Sequence, residues 1–168
     1  MVKLILCYIE NSYFIISVPI FSYKVKNQLQ YPRKLYFIDN IFIKAISTRF
    51  SKNYGRLYEN LVAIELLRRC AKNPLIEFYY WKNSRHEEVD FVVKNDEKIE
   101  QLIQVCYDIS DQDTKKRELR VLVKASKELR CNNLLIITED YDAYEQFKDK
   151  RIRFTPLWKW MLSYGARG

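Results

Sequence analysis

Glu87-Glu88-Val89-Asp90-Phe91-Val92-Val93, followed by Leu102-Ile103-Gln104-Val105-Cys106-Tyr107, decides how this chain is read. Both segments are rich in β-branched and aromatic residues, and the turn-like Asn95-Asp96-Glu97 lies between them. Such runs predict two antiparallel neighbours, Val89–Lys94 and Ile99–Tyr107. Because side chains alternate along a strand, Val89, Phe91 and Val93 belong on one face and Glu88, Asp90 and Val92 on the other. In the partner strand Glu100, Leu102, Gln104, Cys106 and Asp108 share a face. Pairing through the Asn95 turn sets Asp90 across from Gln104 and Cys106. A carboxylate and an amide oxygen converging there could hold a hard divalent cation, which takes oxygen ligands.

Helices flank this pair. After Gly55, the residues Leu57, Leu61, Ile64 and Leu67 recur at helical spacing, with Val62 and Leu66 widening the stripe. They predict a helix over Arg56–Ala71 that Asn73-Pro74 stops. Ile76–Lys82 reads as a further strand. A second helix is expected over Asp113–Leu129, with Leu119, Leu122, Val123 and Leu129 as its apolar face. Leu134–Thr138 is a buried strand, Ile152–Phe154 a last short one, and Leu157–Leu162 a helical turn. From residue 55 to 138 the order is α-β-β-β-α-β. The crossover through the second helix lets its flanking strands run parallel, so an α/β fold with a mixed central sheet flanked by helices is expected.

Residues 1–53 form a small amino-terminal extension and residues 54–168 the main domain. In the extension Leu4–Asn11 could close a helix, Tyr13–Val18 and Phe21–Val25 alternate like strands around Pro19, and Lys34–Ile38 is another strand. A helix-plus-hairpin unit follows.

The chain has 168 residues, 29 Lys and Arg against 21 Asp and Glu, and a net charge of +8. That excess favours polyanionic partners, nucleic acid first and an acidic protein face second. Four isolated cysteines and a single His offer no zinc spacing and suit a reducing cytoplasm. Leu4–Phe21 is apolar but is broken by Glu10, Asn11, Ser12 and Pro19, so neither a membrane span nor a signal peptide is expected.

Among single residues, Glu59 borders the apolar stripe of its helix, where Arg56 offers an ion pair. Glu65 has Arg68 and Arg69 at i+3 and i+4 and reads as structural. His86 falls in a polar turn. Lys115-Lys116-Arg117 opens the second helix and could touch a phosphate backbone. Trp158, Trp160 and Met161 read as a staple onto the core, or as a docking patch.

Taken together, Gly55-Arg56-Leu57-Tyr58-Glu59-Asn60-Leu61-Val62, Glu88-Val89-Asp90-Phe91-Val92-Val93 and Ile103-Gln104-Val105-Cys106 resemble the carboxy-terminal domain of archaeal P-loop ATPases of unknown function. Tyr8 to Tyr13 and Lys34 to Asp39 likewise resemble the segment joining ATPase to nuclease-like domain in that family. The domain is related to the restriction-endonuclease-like, or PD-(D/E)xK, nuclease superfamily. The resemblance implies a restriction-endonuclease-like core, with Glu59, Asp90 and Gln104 as candidate catalytic and metal-binding residues for Mg²⁺ or Mn²⁺. It also implies DNA as partner, a separate P-loop ATPase domain, and pairing of two copies.

The chain departs from that pattern where the E-x-K pair falls on Gln104 and Cys106. A neutral amide cannot act as a carboxylate base, and a thiol cannot supply the lysine's cation. Loss of one such electrostatic contact costs roughly 3–4 kcal/mol. No GxxxxGK[ST] occurs, so the chain has no P-loop of its own. Three readings follow: a nuclease-like module with a degenerate site that binds DNA or a partner, an active metal-dependent endonuclease, and a structural docking domain.

Overall fold

Strand and helix boundaries follow the local chemistry. A computed structural model describes residues 8, 9, 12, 14–46 and 54–165. In chain order the first elements are β1 (Ile15–Val18), α1 (Val25–Gln30), β2 (Lys34–Phe37) and α2 (Asn40–Ile46). Then come α3 (Tyr54–Lys72), β3 (Ile76–Lys82), β4 (Glu88–Asn95), β5 (Lys98–Val105) and α4 (Gln112–Leu129). The chain continues through β6 (Leu134–Thr138), β7 (Ala143–Phe147), β8 (Lys150–Pro156) and α5 (Leu157–Gly165).

Six strands form one mixed sheet in the order β3-β4-β5-β6-β8-β7. The short turns make β3, β4 and β5 antiparallel, while the α4 crossover makes β5 and β6 parallel. α4 has strong ends: the Asp111 carboxylate accepts from the Asp113 and Thr114 amides, and Arg130 closes it in the left-handed region. Its apolar face (Leu119, Leu122, Val123 and Leu129) packs with Trp81, Val89, Val92, Leu102 and Phe154. On the opposite side of the sheet, Val62 and Leu66 of α3 and Trp160 of α5 pack with Phe91, Val93, Ile103 and Ile137. The sheet is therefore covered on both faces. Among the described residues no helix is long and apolar enough to cross a membrane.

Three sequence expectations need correction. Val92 does not share a face with Glu88 and Asp90. The β3–β4 register jumps from Tyr79↔Val92 to Trp81↔Val89, so β4 carries an extra residue and Val92 packs with Val89 on the α4 side. Phe21–Val25 is not a strand. The Ser22 hydroxyl accepts the Lys24 amide and turns the chain into α1, so the antiparallel partner of β1 is β2, with Ile15 opposite Phe37. Finally, β7 and α2 were not expected. β7 is an edge strand paired to β8 with an alternately exposed pattern and little apolar signal. Of the expected helix Leu4–Asn11 only Tyr8 and Ile9 fall within the described residues, both helical, and Tyr13 lies outside them.

The extension is stitched to the free edge of β3. The Tyr80 amide donates to the Pro19 carbonyl (3.0 Å), the Phe21 amide to the Tyr80 carbonyl (2.6 Å), and the Tyr80 hydroxyl to Pro32 (2.5 Å). This docking carries β2 across to α3 and β4.

Candidate functional site

Lys34 and Tyr36 alternate along β2 and therefore share the face turned to α3 and β4. The Lys34 ammonium lies 2.9 Å from Glu59 of α3, and 2.7 Å and 3.0 Å from Glu88 and Asp90 of β4. Lys82 reaches the other Glu88 oxygen at 3.3 Å. The Tyr36 hydroxyl donates to Glu59 (2.6 Å), and the Val105 amide donates to Asp90 (2.9 Å). Asn60, one residue beyond Glu59, is buried. It accepts from the Phe37 amide and donates to the Phe37 carbonyl and to Asn40, fixing β2 and the start of α2 on α3.

The charges in this cluster respond to their setting. Burial and the neighbouring Glu59 push the Asp90 carboxyl up to about 7, against the pull of Lys34 and the Val105 amide. Burial alone would lower the Lys34 pKa, but Asp90, Tyr36 and Glu59 outweigh it and raise the value, so the ammonium stays charged. Burial and Glu59 raise the Tyr36 hydroxyl well above its ordinary range, which keeps it a donor.

On the other side of Asp90 the geometry differs. Gln104 accepts the Asp90 backbone amide (3.3 Å) and donates its own amide to Glu118 of α4 (2.8 Å). Cys106 is buried with its thiol 3.4 Å from the Asp108 carbonyl, and burial, reinforced by Glu118, pushes it up to about 11. It is a neutral thiol at physiological pH. Of the expected set, Glu59 and Asp90 are brought together, and Gln104 stands beside Asp90 as expected, its oxygen on the Asp90 amide and its nitrogen on Glu118 of α4.

A Mg²⁺ or Mn²⁺ ion does not fit this arrangement. Mg²⁺ demands near-octahedral oxygens at about 2.0–2.1 Å, whereas the carboxylates here stand at hydrogen-bonding distance around an ammonium. Among the described residues no three His, Cys, Asp or Glu side chains close around a metal-sized point.

Asp90, Gln104 and Glu118 form part of the floor of an open groove of about 810 Å³ between α4 and the β3–β4 turn. Arg85, Arg117, Arg120, Lys124, Lys127 and Lys148 line it. Its acids already have partners: Glu118 with Arg117, Glu87 with Lys124, and Glu88 and Asp90 with Lys34. Arg85, Arg120 and Lys148 make no ion pair among the described residues. Lys115 behaves differently from Arg117. It is bound to Glu145 (2.6 Å) over the Tyr141 and Phe154 rings, and so serves the fold. Lys116 gives its carbonyl to Arg120. Glu65 pairs with Arg69, whose guanidinium stacks on Trp160, so that tryptophan is indeed a staple, whereas Trp158 is exposed.

Sequence reasoning did not find Lys34, Tyr36, Glu88 or Glu118. The one signal available was the alternation of Lys34 and Tyr36 in a short strand; their convergence on β4 is a tertiary event.

Fold and site define a mixed α/β domain in which a half-buried lysine–carboxylate cluster adjoins a basic groove. The chain belongs to the family described as Domain of unknown function (DUF4143), which matches residues 54–160. It is also 38% identical over 163 residues to the uncharacterized protein MJ1544 of Methanocaldococcus jannaschii. That match covers 94% of this chain but spans only 35% of the relative. No solved structure matches.

Proposed function

We propose that this domain is a nuclease-like module of the PD-(D/E)xK type, belonging to an ATPase-type system, that binds the phosphodiester backbone of DNA without cutting it. The observation that carries the reading is the basic groove over Asp90, Gln104 and Glu118. Arg117, Arg120, Lys124 and Lys127 recur at helical spacing along about 15 Å of α4, and Arg117, Lys124 and Lys127 are held in ion pairs with Glu118, Glu87 and Asp149 that a phosphate would have to displace. One strand of a duplex advances about 3.4 Å per phosphate, so the stripe matches roughly four phosphates. Hydrolysis is not expected, because Gln104 in the floor is a neutral amide, and Cys106, buried two residues further along β5's path, is a neutral thiol, where a base and a cation would be needed.

The test is a labelled DNA duplex titrated by fluorescence anisotropy across a salt series, alongside incubation of supercoiled DNA with Mg²⁺ or Mn²⁺. A log–log slope of roughly −3 to −4 is expected for four phosphate contacts, with the plasmid left intact. Cleavage that an Asp90→Ala variant abolishes would replace this reading with the active endonuclease. No binding at low salt would remove DNA from it.

A second reading, docking to a protein partner, draws on α1. None of its residues is buried, and Tyr23, Val25, Leu29 and Tyr31 are largely exposed. It predicts that Leu29→Glu weakens capture of a P-loop ATPase partner while leaving DNA affinity unchanged.

A further inference from the structure

The acid cluster departs from metal chemistry in a specific way. An ammonium carries three N–H donors and no acceptor. Around Lys34 there are three carboxylates, from Glu59, Glu88 and Asp90, at 2.7–3.0 Å. Glu59 and Asp90 accept hydrogen bonds from it and Glu88 stands at ion-pair distance, so three carboxylates surround one cation. The carboxylates come from α3 and β4, but the cation is delivered by β2 of the extension. It cannot drift, because Asn60 holds the neighbouring Phe37 by both backbone groups, and Tyr36 is hydrogen-bonded to Glu59 two residues further on. A metal drawing on the same oxygens would have to pull each of them inward by most of an ångström and expel the ammonium.

We propose that the Lys34 ammonium is the resident cation of this cluster, standing where such carboxylates would otherwise take a divalent metal ion. The domain is built around a lysine, and the extension is held to the core by that ion. Removal of the lysine charge leaves Glu59, Glu88 and, above about pH 7, Asp90 as uncompensated like charges, which a metal can then relieve. No polyanion enters this mechanism, so the DNA-binding reading can fail without affecting it.

Thermal melting of the whole chain in EDTA, or in millimolar Mn²⁺ or Mg²⁺, tests the proposal. The wild-type midpoint should be the same in all three to within about 1 °C, since a ligand stabilises only what it binds. Lys34→Met should melt about 10 °C lower in EDTA and regain at least half of that loss in Mn²⁺. The double variant Lys34→Met/Glu59→Gln should recover in EDTA and ignore Mn²⁺, because one of the uncompensated charges has gone. Should Lys34→Met fail to fold in EDTA, refolding it in Mn²⁺ replaces the melt, and recovery there supports the proposal. A wild-type midpoint that rises with Mn²⁺ and loses this response in Asp90→Asn would overturn the proposal by showing that metal displaces the lysine. A double variant no more stable than Lys34→Met would also overturn it, since the lysine would then act through packing alone.

Discussion

The two sides of Asp90 are built on opposite terms. Toward α3 the carboxylate meets Lys34, Tyr36 and Glu59 in a closed cluster whose donors and acceptors are matched. Toward α4 lies an open groove in which the acids are paired and, among the described residues, Arg85, Arg120 and Lys148 are left without an ion pair. Both sides use the same strand. Successive residues of a strand face opposite layers, and the β4 bulge shifts that alternation so that Val89 and Val92 share the α4 side. Charge in the closed cluster serves the fold, while Arg85, Arg120 and Lys148 of the groove make no ion pair among the described residues.

The contrast can be broken most forcefully from the closed side. Lys34→Met is expected to lose about 2–3 kcal/mol of unfolding free energy by urea titration, less than the cost of unpairing a fully buried charge because the cluster is half-buried. Next comes pH. With the folded Asp90 carboxyl at about 7 and the unfolded one near its ordinary 3.8, the native state holds the extra proton between those values. Asp90 therefore stabilises the fold fully below about pH 4, and that contribution is lost as pH rises through about 7. Wild-type stability relative to Asp90→Asn should fall across this window; a difference that rises with pH would contradict the raised value.

Asn60→Ala should cost about 2–3 kcal/mol, because the Phe37 amide and carbonyl lose their partner. Hydrogen exchange at the Phe37 amide should accelerate before the β6 amides are affected. The groove side gives the smallest effects. Arg120→Ala or Lys148→Ala should weaken duplex DNA uniformly across sequences and reduce the salt slope by about 1 each, leaving stability unchanged. Lys115→Ala should do the reverse, since its charge is spent on Glu145.

The core was legible where local signals were unopposed. α3, β3, β4, β5, α4 and β6 announced themselves through helical or alternating patterns and through turn residues between them. Asp90 and Glu59 were found because acids interrupting apolar runs stand out. β7 was missed because Ala143-Tyr144-Glu145-Gln146-Phe147 has the mixed polarity of an edge. The face of Val92 was missed because a bulge is set by pairing between strands and leaves no mark on a period-2 pattern. Lys34 was missed for a deeper reason: its position is fixed by Asn60, Tyr80 and Pro19, residues far away in sequence. A lysine in a short strand carries no sign of what lies across from it.

Asn60 has a consequence beyond anchoring. By offering a carbonyl oxygen and an amide to the two backbone groups of Phe37, it imitates the partner that a third strand would bring to β2. β2 pairs with β1 on one side only, so that outer edge is otherwise a template onto which another chain could add. A single helix side chain closes the template there. The two-stranded hairpin thus gains protection against self-association without a third strand, and an Asn60→Ala protein would be expected to aggregate through β2 before it unfolds.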